Sequence, residues 1–393
     1  MRDIALDSVV GVVGSGVMGS GIAQLAAAVG HQVVLYDTNR AALQKAQAQL
    51  EKSLSRRIEK GSLTEPEADL IRKRIVLAEG LSSFALCPLV IEAVVEDLAV
   101  KRQLIADLDQ VVSDSSILAT NTSSLSVTSI ASGSKIPPRV IGLHFFNPAP
   151  LMPLVEVVGG LLSSDDALKS SEVLMKRWIK TTVRVKDTPG FIVNRVARPF
   201  YGEALKICEE GMADFATIDW SMREIGGFRM GPFELMDLIG IDVNYKVSLS
   251  VFESFYFDPR FKPSITQRRM VEAGFLGRKS GKGYYDYSEG ADTPKPNQDK
   301  KLWREIFMRI LCMLINEAAD AVFQGVSSAE EIDLAMTTGV NYPKGLLRWG
   351  DEIGLEKVLK GLEKLHEEYG DDRYRPCALL RRMVKEKRKF YAG

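Results

Sequence analysis

Histidine is almost absent from this sequence, with three residues in 393. Few sites can therefore use an imidazole as base or metal ligand, and each histidine can be weighed singly. Cysteine is nearly as scarce. Cys87, Cys208, Cys312 and Cys377 lie far apart and form no CxxC or Cys/His spacing. That disfavours a zinc site and a disulfide framework, and leaves them as small core residues or inert thiols, with no metal expected. Net charge is also missing: 51 Lys plus Arg balance 51 Asp plus Glu. No broad positive field exists to hold a polyanion, which argues against a dedicated nucleic-acid binder. No uninterrupted apolar run approaches the roughly 20 residues that span a bilayer, so no membrane partner is expected. The opening residues Met1 to Asp7 carry two acids and lack the cationic-then-apolar layout of a signal peptide. The expectation is a soluble, cytoplasmic protein of two or three domains, given a usual domain of about 100 to 200 residues.

What is present is alternation. Short β-branched or apolar runs at Val9 to Val13, Val33 to Tyr36, Leu89 to Val95, Ile117 to Thr120, Val140 to Phe146, Val155 to Val158 and Thr182 to Val185 are separated by helical stretches. This is the pattern of a largely parallel sheet covered on both faces, a Rossmann-like doubly wound α/β domain over residues 1–188. After Thr188-Pro189-Gly190 the composition changes to amphipathic helical segments with few β-branched runs. Residues 189–290 and 301–393 are read as two tandem all-helical domains. Between them, Ala291 to Lys300 is polar, holds two prolines and is taken as a linker.

The two helical domains are copies. At an offset of 114 residues, Glu203, Ala204, Gly211, Ile218, Asp219, Met222, Gly231, Asp237, Ile239 and Gly240 meet identical residues from Glu317 to Gly354. One deletion later the offset is 113, and Arg260, Pro263, Arg268, Arg269, Met270 and Val271 meet Arg373, Pro376, Arg381, Arg382, Met383 and Val384.

The strongest local chemistry signal is Gly14-Ser15-Gly16-Val17-Met18-Gly19, a GxGxxG between a strand and a helix. The first glycine permits the tight turn, the second lets backbone amides approach a pyrophosphate, and the third allows close helix–sheet packing. Gly14, Gly16, Val17, Met18 and Gly19 are therefore taken as the cofactor turn. Asp37 ends the next strand, 18 residues after Gly19. Its carboxylate can accept from a ribose 2′-hydroxyl and repels a 2′-phosphate, which favours NAD over NADP.

Of the three histidines, His31 lies in a helix-to-strand connection and His366 in a charged segment read as solvated. His144 differs: it ends an apolar strand in Leu143-His144-Phe145-Phe146-Asn147-Pro148. The strand that follows carries Glu156 as its only charge. A carboxylate in such a strand is costly unless paired, and the nearby imidazole is its natural partner. Alone, such a pair is structural about as often as functional. Beside a nicotinamide site it becomes a general base and its orienting carboxylate. Asn121-Thr122-Ser123-Ser124 ends another strand, where an open parallel sheet presents ligands, although a plain helix N-cap is as common a use. Asn194, in an otherwise apolar helix start, is equally open to either reading.

The segments Gly14 to Gly19, Asn121 to Leu125, His144 to Pro148, Pro189 to Arg195 and Met230 to Leu235 together resemble the 3-hydroxyacyl-CoA dehydrogenases, in order and at that family's spacing over nearly the whole chain. Within the family the chain looks most like bacterial 3-hydroxybutyryl-CoA and 3-hydroxyadipyl-CoA dehydrogenase types that carry the helical domain twice. The resemblance implies NAD as cofactor and an acyl-CoA as substrate. His144 takes the proton from the 3-hydroxyl, Glu156 holds the imidazole, Ser123 bonds the same oxygen and Asn194 binds the reacting substrate. It also points to Glu96, Lys101 and Asn121 in the cofactor groove, and to Ser53, Lys60 and Asn147 on the substrate side, although a solvated polar face explains Ser53 and Lys60 equally well.

Copy two departs from this site. Asn194 becomes Met308 and the Pro-Gly entry is missing, so the second copy is read as structural. Single-copy members use this domain as a dimer contact, so the resemblance implies an intrachain pseudo-dimer in a chain that is itself a monomer or a homo-oligomer. Two other readings compete: a non-catalytic, crystallin-like NAD-binding relative, and a dehydrogenase of a small free hydroxy acid.

Overall fold

The computed structural model of the chain describes residues 4–391. The part of the N-terminal reading that rests on Met1 to Asp3 lies outside the described residues, as do Ala392 and Gly393 of the second helical copy. The chain divides into two compact units, one ending at Thr188 and the other beginning at Pro189.

The first unit is built on eight strands, β1 (Val9–Val13), β2 (Gln32–Tyr36), β3 (Ile75–Leu77), β4 (Leu89–Glu92), β5 (Ile117–Thr120), β6 (Val140–Phe145), β7 (Leu154–Gly159) and β8 (Thr181–Lys186). They form one sheet in the order β3-β2-β1-β4-β5-β6-β7-β8. Every neighbouring pair is parallel except β6 and β7. The runs are apolar on both sides because both faces are covered. Val10, Val12, Leu89 and Ile91 pack with residues of α1 (Val17–Val29) and α6 (Asp165–Arg177), on the side that also carries α2 (Arg40–Glu59) and α3 (Glu65–Arg74). Val13 and Val90, pointing the other way along the same strands, pack with α4 (Leu98–Leu108) and α5 (Val127–Ala131). Strand order reverses between β1 and β4, so the crevice beyond their carboxyl ends is the switch point of the sheet.

One boundary is corrected, and two features are added to the sequence reading. β4 stops at Glu92, not Val95, because the Val94 N–H turns back to the Glu92 carboxylate at 3.2 Å and Val95 is left exposed. The three-residue edge strand β3 was not anticipated, since so short a run shows no period. His31 is fully buried: its Nδ1 lies 3.0 Å from the Ser8 carbonyl and its Nε2 accepts from Trp178 Nε1 at 2.9 Å.

The second unit is helical. Copy one comprises α7 (Val193–Val196), α8 (Arg198–Glu209), α9 (Phe215–Glu224), α10 (Pro232–Ile239), α11 (Ile241–Ser254) and α12 (Ile265–Glu272). Copy two comprises α13 (Lys300–Phe323), α14 (Ala329–Gly339), α15 (Leu346–Ile353), α16 (Leu355–Tyr369) and α17 (Ala378–Lys385). Where copy two runs one long helix, copy one breaks at Ala197, because Pro199 excludes the carbonyl four residues back from the helical ladder. The linker is held by both copies: the Asn297 N–H donates to Thr217 Oγ1 of copy one at 2.9 Å, and Trp303 Nε1 of copy two donates to the Asn297 carbonyl at 2.6 Å.

Ion pairs between the copies are reciprocal. Arg195 pairs with Glu317 and its counterpart Arg309 pairs with Glu203, each at 2.6 Å. Arg260 pairs with Glu317 at 3.2 Å, and its counterpart Arg373 pairs with Glu203 at 2.9 Å. All four cysteines are free thiols, and burial pushes Cys87, Cys312 and Cys377 up to about 12.

Candidate active site

The glycine turn follows β1 as its spacing requires. Gly14 has φ +97°, and a Cβ there would come within 2.5 Å of the Ala93 carbonyl oxygen. A Cβ on Gly19 would stand 1.8 Å from the Gly14 carbonyl oxygen, so the start of α1 presses directly on the turn. Gly16 instead faces open space. Asp37, at the end of β2, grips this turn: one carboxylate oxygen accepts from both the N–H and the hydroxyl of Ser15 at 2.8 Å. Its other oxygen accepts from the Asn39 N–H at 2.9 Å. Burial pushes this carboxyl up, but bonds from Asn39 and Ser15 outweigh it and hold it below its ordinary range, so it is an anion at neutral pH.

Across the switch point, β4 ends in a buried ion pair. Lys101 Nζ lies 2.9 Å from both Glu92 oxygens, and each side chain is 1% exposed. Thr120 also donates to Glu92. Lys101 reaches Glu96 at 3.3 Å, and one Glu96 oxygen accepts from Thr122 Oγ1 (2.6 Å), Ser123 N–H (3.0 Å), Ser124 N–H (3.2 Å) and Ser124 Oγ (2.9 Å). Lys101 therefore faces inward and fixes the two carboxylates, while Glu96 holds the turn that carries Asn121 and Ser123.

His144 and Glu156 stand opposite each other in the antiparallel β6/β7 ladder. His144 Nδ1 lies 2.6 Å from Glu156 Oε2, and the Glu156 side chain is completely buried. With Nδ1–H directed at the carboxylate, the lone pair of the neutral ring falls on Nε2. The Phe146 ring packs on the imidazole with centroids 4.6 Å apart. Asn121 Oδ1 accepts the Phe145 N–H at 2.9 Å, which ties the serine turn to the strand bearing His144.

The structure thus gathers Asn121, Ser123, Glu96 and Lys101 into one network and joins it to the His144–Glu156 pair. Asn147 is exposed just beyond β6. Ser53 accepts from Gln24 Nε2 at 3.3 Å, and Lys60, at the end of α2, is exposed. Asn194 belongs to the second unit, on α7. Four contributors are not singled out from sequence. Ser15 and Thr122 give only the weak signal of a small hydroxyl residue in a turn. Glu92 could have been found, since it is a lone carboxylate in an apolar strand by the same argument that picked out Glu156. Another is Lys180, 7% exposed, whose ammonium donates to the Ala149 and Met152 carbonyls at 2.7 Å and so pins the connection between β6 and β7.

Sequence comparison bears on this arrangement directly. A family model described as "3-hydroxyacyl-CoA dehydrogenase, NAD binding domain" matches residues 9–188. A second, "3-hydroxyacyl-CoA dehydrogenase, C-terminal domain", matches twice, over 190–287 and 306–391. The chain belongs to the 3-hydroxyacyl-CoA dehydrogenase family. Among members, it is 39% identical to the 3-hydroxyadipyl-CoA dehydrogenase of Escherichia coli, over 95% of this chain and 96% of that one. It is 42% identical to a probable 3-hydroxybutyryl-CoA dehydrogenase of Bacillus subtilis, over 71% of this chain and 96% of the relative. A crystal structure of 3-hydroxybutyryl-CoA dehydrogenase from Escherichia coli superposes with a TM-score of 0.92 at 37% identity, covering 98% of this chain and 99% of the other.

The first unit is therefore the NAD-binding domain of a 3-hydroxyacyl-CoA dehydrogenase. Its residues fit the dinucleotide: the turn is open at Gly16, Gly16 and Val17 at the start of α1 are exposed, and Asp37 is anionic at the end of β2. Among the described residues no cluster of side chains could hold a metal ion, and no helix is long and apolar enough to cross a membrane.

Proposed function

We propose that this chain interconverts (S)-3-hydroxyacyl-CoA and 3-oxoacyl-CoA with NAD, on a short acyl chain such as 3-hydroxybutyryl-CoA or a dicarboxylic one such as 3-hydroxyadipyl-CoA. The observation that carries the reading is the His144–Glu156 pair across the β6/β7 ladder, at the edge of the sheet toward which the glycine turn also points. NAD, when bound, supplies the hydride acceptor. His144 Nε2 takes the proton of the 3-hydroxyl, and Glu156 orients the ring and stabilises the imidazolium that results. Ser123 donates a hydrogen bond to the same oxygen, and Asn194 is the helical unit's contribution to holding the reacting substrate. Gly14, Gly16, Val17, Met18, Gly19 and Asp37 hold the cofactor, with Glu96, Lys101 and Asn121 shaping its groove. Ser53, Lys60 and Asn147 are read as substrate-side contacts.

Copy one, over 189–290, is the closure and substrate domain. Copy two, over 301–393, is structural and completes an intrachain pseudo-dimer; the reciprocal pairs Arg195–Glu317 and Arg309–Glu203 support this, because exchanged partners are the mark of an isologous contact. Four unpaired thiols suit a cytoplasmic setting. The test is a steady-state comparison of kcat/KM over acetoacetyl-CoA, longer 3-oxoacyl-CoAs and 3-oxoadipyl-CoA with NADH, for the wild type and His144→Gln. The variant is expected to bind NADH normally and to lose at least about 10²-fold in kcat. Turnover near wild type would remove His144 as the base, and no turnover across the panel would reject the substrate class.

A further inference from the structure

Because the helical domain occurs twice, copy two shows what the scaffold needs when it carries no substrate-binding amide. Around Asn194, copy one contains a chain of polar contacts. Arg198 Nε donates to the Asn194 carbonyl at 2.8 Å, and Arg198 Nη1 donates to Ser248 Oγ at 3.2 Å. Ser248 Oγ donates to the Asn244 carbonyl at 3.0 Å, and Asn244 Oδ1 accepts from Gln267 Nε2 at 2.9 Å. The chain runs from the break between α7 and α8, through α11, to α12. Three of its members are deep, Arg198 at 8% exposed, Asn244 at 3% and Gln267 at 1%, while Ser248 is half-buried. Among the described residues Arg198 has no carboxylate partner; it lies over the Tyr201 ring instead, 5.0 Å from its centroid.

Each member has a counterpart in copy two, and every counterpart is apolar or a thiol. Asn194 corresponds to Met308, Arg198 to Cys312, Asn244 to Val358, Ser248 to Leu362 and Gln267 to Leu380. Cys312, Val358, Leu362 and Leu380 are all buried core residues. A buried guanidinium and two buried amides cost free energy that an apolar replacement of similar shape does not. The same helical framework therefore folds with an apolar core at these positions, and the polar set accompanies only the copy that has Asn194 and the broken helix.

We propose that Arg198, Ser248, Asn244 and Gln267 are positioning residues that fix Asn194 and the α7/α8 break for the reaction, and that they are not needed to fold the domain. This rests on the reading of Asn194 given above. Arg198 acts on the backbone carbonyl of Asn194 at the break, Ser248 fixes the Arg198 fork, and the Asn244–Gln267 pair fixes α11, which carries Ser248.

The test installs the residues of copy two in the full chain, as Ser248→Leu and as Asn244→Val with Gln267→Leu, beside Arg198→Met, Arg198→Lys and Asn194→Ala. Expected are melting temperatures at or above wild type, unchanged NADH affinity, and kcat for 3-oxoacyl-CoA reduction lower by about 10- to 100-fold. KM should move less than kcat, Arg198→Lys should recover part of the Arg198→Met loss, and adding Asn194→Ala to the Asn244→Val/Gln267→Leu variant should cause little further loss. If a packing variant fails to fold, Ser248→Ala, which removes only the hydroxyl, is expected to show a smaller kcat loss with full NADH affinity. Folded network variants within twofold of wild-type kcat, beside an impaired Asn194→Ala, would overturn the network and spare the reading of Asn194. An Asn194→Ala enzyme at full rate would overturn both.

Discussion

Asp37 ends its strand with both oxygens engaged, one on Ser15 and one on Asn39, so this carboxylate has two tasks. It holds the glycine turn in shape, and in the proposed cofactor site it would also repel a 2′-phosphate. Asp37→Ala should therefore weaken NADH binding and also narrow the preference for NAD over NADP by about tenfold or more, the scale of one charge-assisted hydrogen bond. The check is the ratio of kcat/KM for the two cofactors; an unchanged ratio would leave Asp37 only its hold on the turn. Glu156 and Glu92 show a further residue-scale rule. Each is a single carboxylate in an apolar strand, and each proves to have a cation or imidazole partner in a buried site.

At the scale of elements, the turn after β5 and the strand β6 form one piece. Asn121 ties them, and Glu96 collects the donors of Thr122, Ser123 and Ser124 from the other side. Burial pushes the Glu96 carboxyl up, but the Lys101 ammonium and the bonds from Thr122, Ser124 and the Ser123 N–H outweigh it and hold it below the usual glutamate range. An acid whose folded value is lowered contributes stability that is complete above its unfolded value, near pH 4.3 by the usual reference of about that figure, and is lost as pH falls through the folded value. Glu96→Gln should cost about 1 kcal/mol at neutral pH, allowing for its partial exposure, and this difference should shrink below about pH 4. Urea denaturation at both pH values measures it, and a loss that stayed constant with pH would show that the charge of Glu96 is not what holds the turn.

For the whole molecule, the question is what the second helical copy covers. Glu203 accepts from Arg309 and Arg373, and Glu317 from Arg195 and Arg260, so the two carboxylates exchange partners, although only the arginines on Glu317 also share Asp320. Glu203→Ala should destabilise the second unit by about 3 to 5 kcal/mol, because it leaves the buried Arg373 without a carboxylate, whereas Glu317→Ala should cost less, because Arg195 and Arg260 keep Asp320 at 2.9 and 2.8 Å. A Glu317→Ala loss as large as that of Glu203→Ala in thermal or chemical unfolding would mean that Asp320 does not hold the two arginines. A chain ending at residue 299 should self-associate, since it exposes the face that α13 otherwise covers; sedimentation of a well-behaved, active monomer would reject the pseudo-dimer.

The sequence alone was enough for the doubly wound class, the glycine turn after β1 with Asp37 after β2, the duplication, and the pairing of His144 with Glu156. These are local or periodic properties: a glycine needed at a turn, an apolar run covered on both faces, a charge in a strand that requires a partner. It did not reveal that Lys101 turns inward to Glu92, that Asp37 holds Ser15, that Asn121 joins two strands, or that Arg195 and Arg309 exchange partners. Those bonds join residues brought together by the sheet order or by packing of one copy on the other, and a polar side chain in a turn carries no mark of which distant donor will meet it. Only the tertiary structure decides between a solvated carboxylate and a buried one with several donors, because the free energy of a polar group depends on the neighbours that replace its water.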